Sequence, residues 1–300
     1  MKKLMLFLST FILFSINTFL QAKTTGWWIF RRVQSTKPKP VTAVAAVRGD
    51  LSGVIYNPSI LGTITEKEIF FLSEIVGIAN DTFGGVIYGQ PVMKYSGLSI
   101  GIVYYDAGRT TLYWIENGKE QQKTVTIQRD LLGLFSYGQK IATDIFAGIT
   151  FKFANSRIVE AKDSWAIASD LGILYSPLQN LSLSAAVQNI GTATKFVDET
   201  DPLPTSVWFG SCYALNIGKT ELIAGIDIPY IIAEQKVIPT IGLEFGISFF
   251  AINFAYRFNV IDSVFQVGLT TKLKNFDFGY SFIPATYLSP THRINLGFRW

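Results

Sequence analysis

From about residue 68 onward the chain alternates between apolar and polar positions. In "FDFGYSF" Phe276, Phe278, Tyr280 and Phe282 fall on one side, with Asp277, Gly279 and Ser281 on the other. "FQVGLTTKL" sets Phe265, Val267 and Leu269 against Gln266, Gly268, Thr270 and Lys272. "INFAYRF", "IFAGITFKF", "DLGILY", "LSLSAAVQ" and "IGLEF" repeat the pattern, and "THRINLGFRW" sets Ile294, Leu296, Phe298 and Trp300 opposite Arg293, Asn295, Gly297 and Arg299. Period-2 alternation marks strands with two unlike faces. A soluble sandwich alternates too, but it fills its outer face with charge. Here large aromatic and aliphatic side chains build one face, while Gly, Ser, Thr, Asn and isolated charges build the other. Apolar outside and polar within is the arrangement of a barrel in lipid, where only helices and closed barrels satisfy every backbone group.

The pattern predicts an all-β transmembrane antiparallel barrel with strands near 68–76, 82–92, 97–105, 128–139, 143–154, 165–175, 181–189, 205–214, 220–228, 237–245, 249–257, 264–272, 275–283 and 291–300. That is about 14, an even number as single-chain bacterial barrels require, and most are near the length that crosses a bilayer at a tilt. Short connections ("MKYS", "KIA", "SPLQN", "LNIGK", "GIS", "KN") alternate with longer ones, notably 106–127, 155–164 and 190–204. Short periplasmic turns and long outer loops are the asymmetry of such barrels. Within 106–127, Asn117-Gly118 suits a tight hairpin that projects as a flap, or raises the count to 16 if it enters the wall.

Upstream, "MKKLMLFLSTFILFSINTFLQA" has the basic n-region, apolar h-region and small terminal residue of a signal peptide over 1–22. "RRVQSTKPKP" reads as an extended, solvated stretch within a periplasmic linker over 23–48. "GDLSGVIYNPSILG" is apolar but far too short to span. It is the candidate to fill a wide lumen as a plug over 49–66, with Asn57-Pro58 shaping a turn. The barrel then occupies 67–300.

Composition narrows the function. Loss of Lys2 and Lys3 with the signal leaves the 26 basic residues at 24 against 22 acidic, a balance that does not point to nucleic acid. A single histidine excludes a His-rich metal site, the lone Cys212 excludes an internal disulfide, and nothing suggests a cofactor. Aromatic residues make up 14% of the chain, which suits a lipid-facing wall with interfacial aromatics. The charges on the polar faces, Lys152, Asp170, Asp227, Glu244, Arg257, Lys272, Asp277, Arg293 and Arg299, are read as facing the lumen and pairing there.

"GLSIG" at 97–101 matches the G-x-S-x-G nucleophile elbow, but Ser99 lies inside an alternating strand with no helix to follow, so chance is the better explanation. A hydrolase would have to use His292 as its base. "RGD" at 48–50 matches an adhesion tripeptide, yet it abuts the proposed plug.

"GDLSGVIYNPSILG" at 49–62 resembles the Asn-Pro signature of the PorV/PorQ family within the FadL-like outer-membrane barrels. "SDLGILYSP", "LSLSAAVQNIG", "DPLPTSVWFG" and "THRINLGFRW" resemble further stretches of that family, in its order. "TAVAAV" replaces the glycine-rich lead usual there, and the chain is short for a fatty-acid transporter of the FadL type. The resemblance implies a non-catalytic, 14-stranded bacterial outer-membrane barrel with its N-terminal segment in the lumen. It serves either transport of small hydrophobic compounds or type IX secretion, in which such a barrel binds secreted client proteins. Its partners would be outer-membrane lipid and the barrel-assembly machinery, which reads a terminal signal that Phe298 and Trp300 resemble.

If the two faces are assigned correctly, Phe254→Arg or Phe278→Arg should cost about 2–4 kcal/mol where the position lies near the bilayer midplane, and Lys272→Gln should be tolerated. Reversible unfolding from lipid vesicles measures both; equal costs would contradict the assignment.

Overall fold

The computed structural model describes residues 27–35, 48–76, 81–159, 163–196, 201–287 and 289–300; the expected signal peptide lies outside them. In chain order come helix α1 (Trp28–Ser35), 3-10 turns at Leu51–Ile55 and Pro58–Thr63, then β1 (Glu68–Val76), β2 (Asp81–Met93), β3 (Ser96–Asp106), β4 (Arg109–Glu116), β5 (Lys119–Thr126), β6 (Gln128–Ala142), β7 (Ile145–Ile158), β8 (Ser164–Leu178), β9 (Leu181–Ala193), β10 (Ser206–Ile217), β11 (Thr220–Ile231), β12 (Lys236–Val237), β13 (Thr240–Ile247), β14 (Phe250–Arg257), β15 (Phe265–Leu273), β16 (Phe276–Ile283) and β17 (Thr291–Arg299).

Each wall strand pairs antiparallel with its neighbours, and β1 pairs with β17, so the sheet closes into a 14-stranded barrel. β12 is a two-residue addition to the end of β11, outside the wall count. β4 and β5 pair only with each other. They continue the β3–β6 pair above the wall through Ala107 N–H to Gln128 O and Ile127 N–H to Gly108 O, both 3.0 Å. The hairpin turns on Asn117 (φ 51) and Gly118 (φ 73), the left-handed pair that a tight turn needs. The flap therefore projects, and the 16-strand alternative is excluded.

Six two-residue turns, from Lys94-Tyr95 to Lys274-Asn275, share the end at which β1 begins and β17 finishes. Left-handed φ at Tyr95, Asp144, Gly218, Ser248 and Lys274 matches these turns to the twist of their strands. The longer loops share the opposite end. In outer-membrane barrels the short-turn end is the periplasmic one.

Alternation decides which face each side chain takes. On β17 Arg293 and Asn295 are buried within, while Ile294 and Leu296 are exposed on the outer surface; on β14 Asn253 is buried and Phe254 exposed. The inner face is not polar throughout, contrary to the sequence expectation. Phe70, Leu72, Phe83, Ile87, Val103, Tyr105, Leu132, Leu134 and Trp208 point inward and form one buried core with residues of α1 and the first 3-10 turn. Those strands carry apolar residues on both faces because the inner one packs against protein rather than water.

A second correction concerns the linker. Residues 31–35, expected to be extended and solvated, are helical, and Trp27, Ile29, Phe30 and Val33 are buried. Isolated, eight residues would not hold a helix; here the apolar stripe of α1 packs on the wall. The backbone N–H of Ile29, in its first turn, donates to the Asp130 carboxylate of β6 at 3.1 Å, satisfying a group that the helix leaves open.

Beyond β17 the backbone of Trp300 still pairs with Lys67, at 3.0 and 3.2 Å, and its ring stacks on Tyr88 and Phe298. Deleting Phe298 to Trp300 removes the end of the closing ladder and should prevent stable membrane insertion, whereas Trp300→Phe keeps an aromatic ring and should insert normally. Quantifying each variant in outer-membrane fractions checks this; normal amounts of the truncated form would refute it.

Candidate functional site

The interior of the barrel is where this chain brings its unusual residues together. Four inward-facing glycines, Gly97, Gly138, Gly148 and Gly172, sit opposite one another in register across β3, β6, β7 and β8. A Cβ added at any of them would lie less than 3 Å from residues 57–61: Leu61 O for Gly97, Pro58 for Gly138 and Gly148, the Asn57 side chain for Gly172. The wall is thus flattened to let a backbone lie on it, the close approach for which glycine is needed.

Asn57 and Pro58 are the residues seated there. Asn57 Oδ1 accepts from Ser59 N–H at 3.1 Å and Ser59 Oγ at 2.5 Å, capping the turn that Pro58 begins, while its Nδ2 donates to Ile173 O at 3.1 Å. Asn57 therefore shapes the turn and ties it to the wall. Tyr56 packs edge-on against Trp208, and its hydroxyl donates to Val33 O at 3.0 Å, joining the two inner segments. Burial pushes the Tyr56 phenol well above its ordinary range, so it remains the donor. Gln188 Nε2 from β9 donates to the carbonyls of Ile55 and Tyr56 at 3.2 and 2.9 Å.

The ionic groups form two sets. Lys152 Nζ lies 2.6 Å from the Asp170 carboxylate and donates to Asn189 Oδ1 at 2.9 Å; Asn189, with φ 58, occupies a bulge where its N–H turns to Asp170 Oδ1 at 2.8 Å. The second set lines the closing seam. Glu74 and Arg293 face each other in register at 2.8 Å, and Arg32 of α1 reaches the same carboxylate at 2.7 Å. Toward the short-turn end Glu68 opposes Arg299 in register at 3.2 Å, and Arg299 also meets Asp277 at 2.5 Å.

Of the residues expected in the lumen, Lys152, Asp170, Asp227, Glu244, Asp277 and Arg293 are buried on inner faces. Arg257 lies at the loop end of β14, where it donates to Ser263 O at 3.1 and 2.7 Å. Lys272, on the penultimate residue of β15, has the inward parity of Asp277, its partner in register, and stands exposed at the mouth, 3.6 Å from Glu221 of β11. The sequence reading missed Arg32, Glu68, Glu74, Gln188, Asn189 and the glycine row.

Ser99 faces inward and is buried, while His292 is on the outer surface, held by Tyr280 Oη at 2.8 Å. The wall separates them, so they cannot act as nucleophile and base. "GLSIG" owes its first glycine to the approach of Leu61. The aspartate of "RGD" is turned inward as the cap of the first 3-10 turn, accepting from Ser52 N–H at 3.0 Å and Ser52 Oγ at 2.7 Å, which leaves no adhesion loop.

No protein-family model matches the chain, and no curated protein matches it in sequence. Solved structures do match its fold. The Ralstonia pickettii toluene transporter TbuX superposes with a TM-score of 0.58 at 12% identity, covering 94% of this chain and 100% of that one. The Pseudomonas putida toluene transporter TodX gives 0.57 at 10% identity, with 87% and 96% covered. A deltaS2S3 mutant of the TodX monoaromatic hydrocarbon channel gives 0.57 at 10%, with 85% and 95% covered.

Gly148→Val should push residues 57–59 off the wall at a cost of about 1–3 kcal/mol, the usual range for overpacking. Gly133→Val, where an added Cβ meets only Phe153 O at 3.8 Å, should be nearly silent. Amide hydrogen exchange over residues 51–63 reads the displacement: faster in the first variant, unchanged in the second. The chain is, in fold, a closed 14-stranded barrel of the outer-membrane type.

Proposed function

We propose that this chain is a non-catalytic barrel of the PorV/PorQ type, within the FadL-like group, that sits in the bacterial outer membrane and passes small hydrophobic compounds across it. One observation carries the reading: much of the inner wall is apolar, from Phe70 and Leu72 round to Trp208. A pore for hydrated solutes has a polar interior. An apolar inner wall instead offers a hydrophobic solute a surface once the packed N-terminal segment shifts. The fold likeness to toluene transporters supports the same solute class.

In this reading residues 49–66 act as a plug. The segment fills the lumen between β2, β3 and β6–β8, and α1 lies above it toward the long loops, where Gln34 bonds Pro204 and Ser206 and Arg31 bonds Glu234. The lumen charges orient and hold the plug rather than select ions. A second reading, a surface barrel that binds secreted clients, draws support from the β4–β5 flap, whose Tyr113, Trp114 and Ile115 are exposed although the flap projects beyond the lipid-spanning wall.

Deleting 49–64 should leave the wall ladder intact and raise single-channel conductance in planar bilayers. Cells carrying the full chain should take up labelled toluene faster than cells without it. Unchanged conductance would place the segment outside the conducting path, and equal uptake would remove the case for a hydrophobic solute.

A further inference from the structure

The short-turn mouth of the barrel holds a cleft of about 820 Å³ that the wall ladder and the seat of Asn57 leave unused. On one side stand Arg48 and residues 62–65 of the inner segment, on the other Pro91 to Tyr95 and Phe146 of the wall. Strand parity places it inside the mouth: Pro91 pairs with Gly97 and Lys140 with Phe146 in register, all at inward positions. Both flanks are fixed. Gly49 N–H donates to Thr63 Oγ1 at 2.8 Å, closing residues 49–63 into a loop, and Gly62 lies so near the Phe146 ring that an added Cβ would fall 2.8 Å from Cδ1. Lys140 N–H donates to Tyr95 O at 2.9 Å, tying the β2–β3 turn to β6. Tyr95 stands half exposed at φ 65, in a left-handed turn position that more often takes glycine or asparagine.

The charge in the cleft is one-sided. Lys94 and Lys140 lie over the Tyr95 ring, 5.3 and 5.0 Å from its centre, and Lys140 is also 5.8 Å from the centre of Phe146. Neither ammonium meets a carboxylate among the described residues, and none lines the cleft. Arg48 donates to Gln179 O, a neutral partner that leaves its charge uncompensated. Like charges gathered on one ring repel, and the ring attracts each by only about 0.5–1 kcal/mol at an exposed site. An anion would relieve the repulsion. The rest of the lining is apolar, with Ile64, Pro91, Val92 and Met93 beside the two rings, and the volume falls in the range of roughly 300–1,000 Å³ common to small-molecule sites. Next to such a lining a singly charged carboxylate is cheaper to desolvate than a phosphate dianion.

We propose that this cleft binds an aryl carboxylate, its ring against Tyr95 and Phe146 and its carboxylate between Lys94 and Lys140. The site needs only the folded barrel and stands apart from the passage of neutral hydrocarbons.

The test uses the full chain in phosphatidylcholine nanodiscs, with protein-free discs as blank, titrated with 2-naphthoate, with 2-naphthamide as its neutral counterpart, or with octanoate, and read by ligand-observed NMR. Naphthoate should bind about fivefold tighter than naphthamide, the ratio given by roughly 1 kcal/mol of exposed ion pairing. Lys94→Gln with Lys140→Gln should abolish that preference. Tyr95→Asn, which suits the left-handed turn, should weaken both aromatic ligands and keep the preference. Lys219→Gln with Lys274→Gln, the same charge loss on other turns of this end, should change nothing. Equal binding of naphthoate and naphthamide, a preference that survives the Lys94/Lys140 variant, or one that falls equally in the Lys219/Lys274 variant would overturn the site. Octanoate binding tighter than naphthoate would overturn the aryl assignment.

Discussion

No backbone N–H or C=O in hydrocarbon can turn to water, so everything in this chain depends on the ladder between β1 and β17. An open edge there would leave two rows of unpaired groups, each costing several kcal/mol. The seam is reinforced from inside by two ion pairs set in register, Glu74 with Arg293 and Glu68 with Arg299. Buried pairs of this kind add little net stability over apolar packing, but breaking one strands the other charge. Their effect is to penalise a slip: moving β17 by one residue would turn both arginines toward lipid.

Arg32 makes the same carboxylate serve the interior. Because Glu74 holds Arg293 across the seam and Arg32 from α1, the inner segment is anchored to the strand that closes the wall. On the other side, Asp130 receives the first turn of α1 and Gln188 receives the carbonyls before Asn57. Wall and contents are therefore one packed object, with the inner segment set against apolar wall residues.

Much of the wall was legible in the sequence. Strand parity alone puts Phe254, Phe278 and Ile294 outside and Asp170, Asp277 and Arg293 inside, because a one-residue error would place charge in lipid. The interior was less legible. In "EIFFLSEIV" both faces are apolar, so nothing marks the inward parity except Glu68 and Glu74, six residues apart at the ends of one stripe. The lysine-proline run after residue 36 suggested extension and masked the short stripe of Ile29, Phe30 and Val33 before it, whose helix exists only against the wall. Glycines 138, 148 and 172 look like ordinary strand glycines until register aligns them. Lys272 obeys the parity rule and pairs with Glu221 at the mouth but stays exposed, since parity gives the face and not what covers it.

The glycine row has a consequence for how such a chain can change. Each of the four wall positions is constrained by a residue far away in sequence, between Asn57 and Leu61, and that short stretch by all four of them. A larger side chain at any one can persist only beside a compensating change in residues 57–61, so these sites should drift together across descendants while lipid-facing positions such as Ile100 or Phe151 exchange freely among apolar residues. The short Asn-Pro stretch and the distant glycines are, in heredity, a single unit.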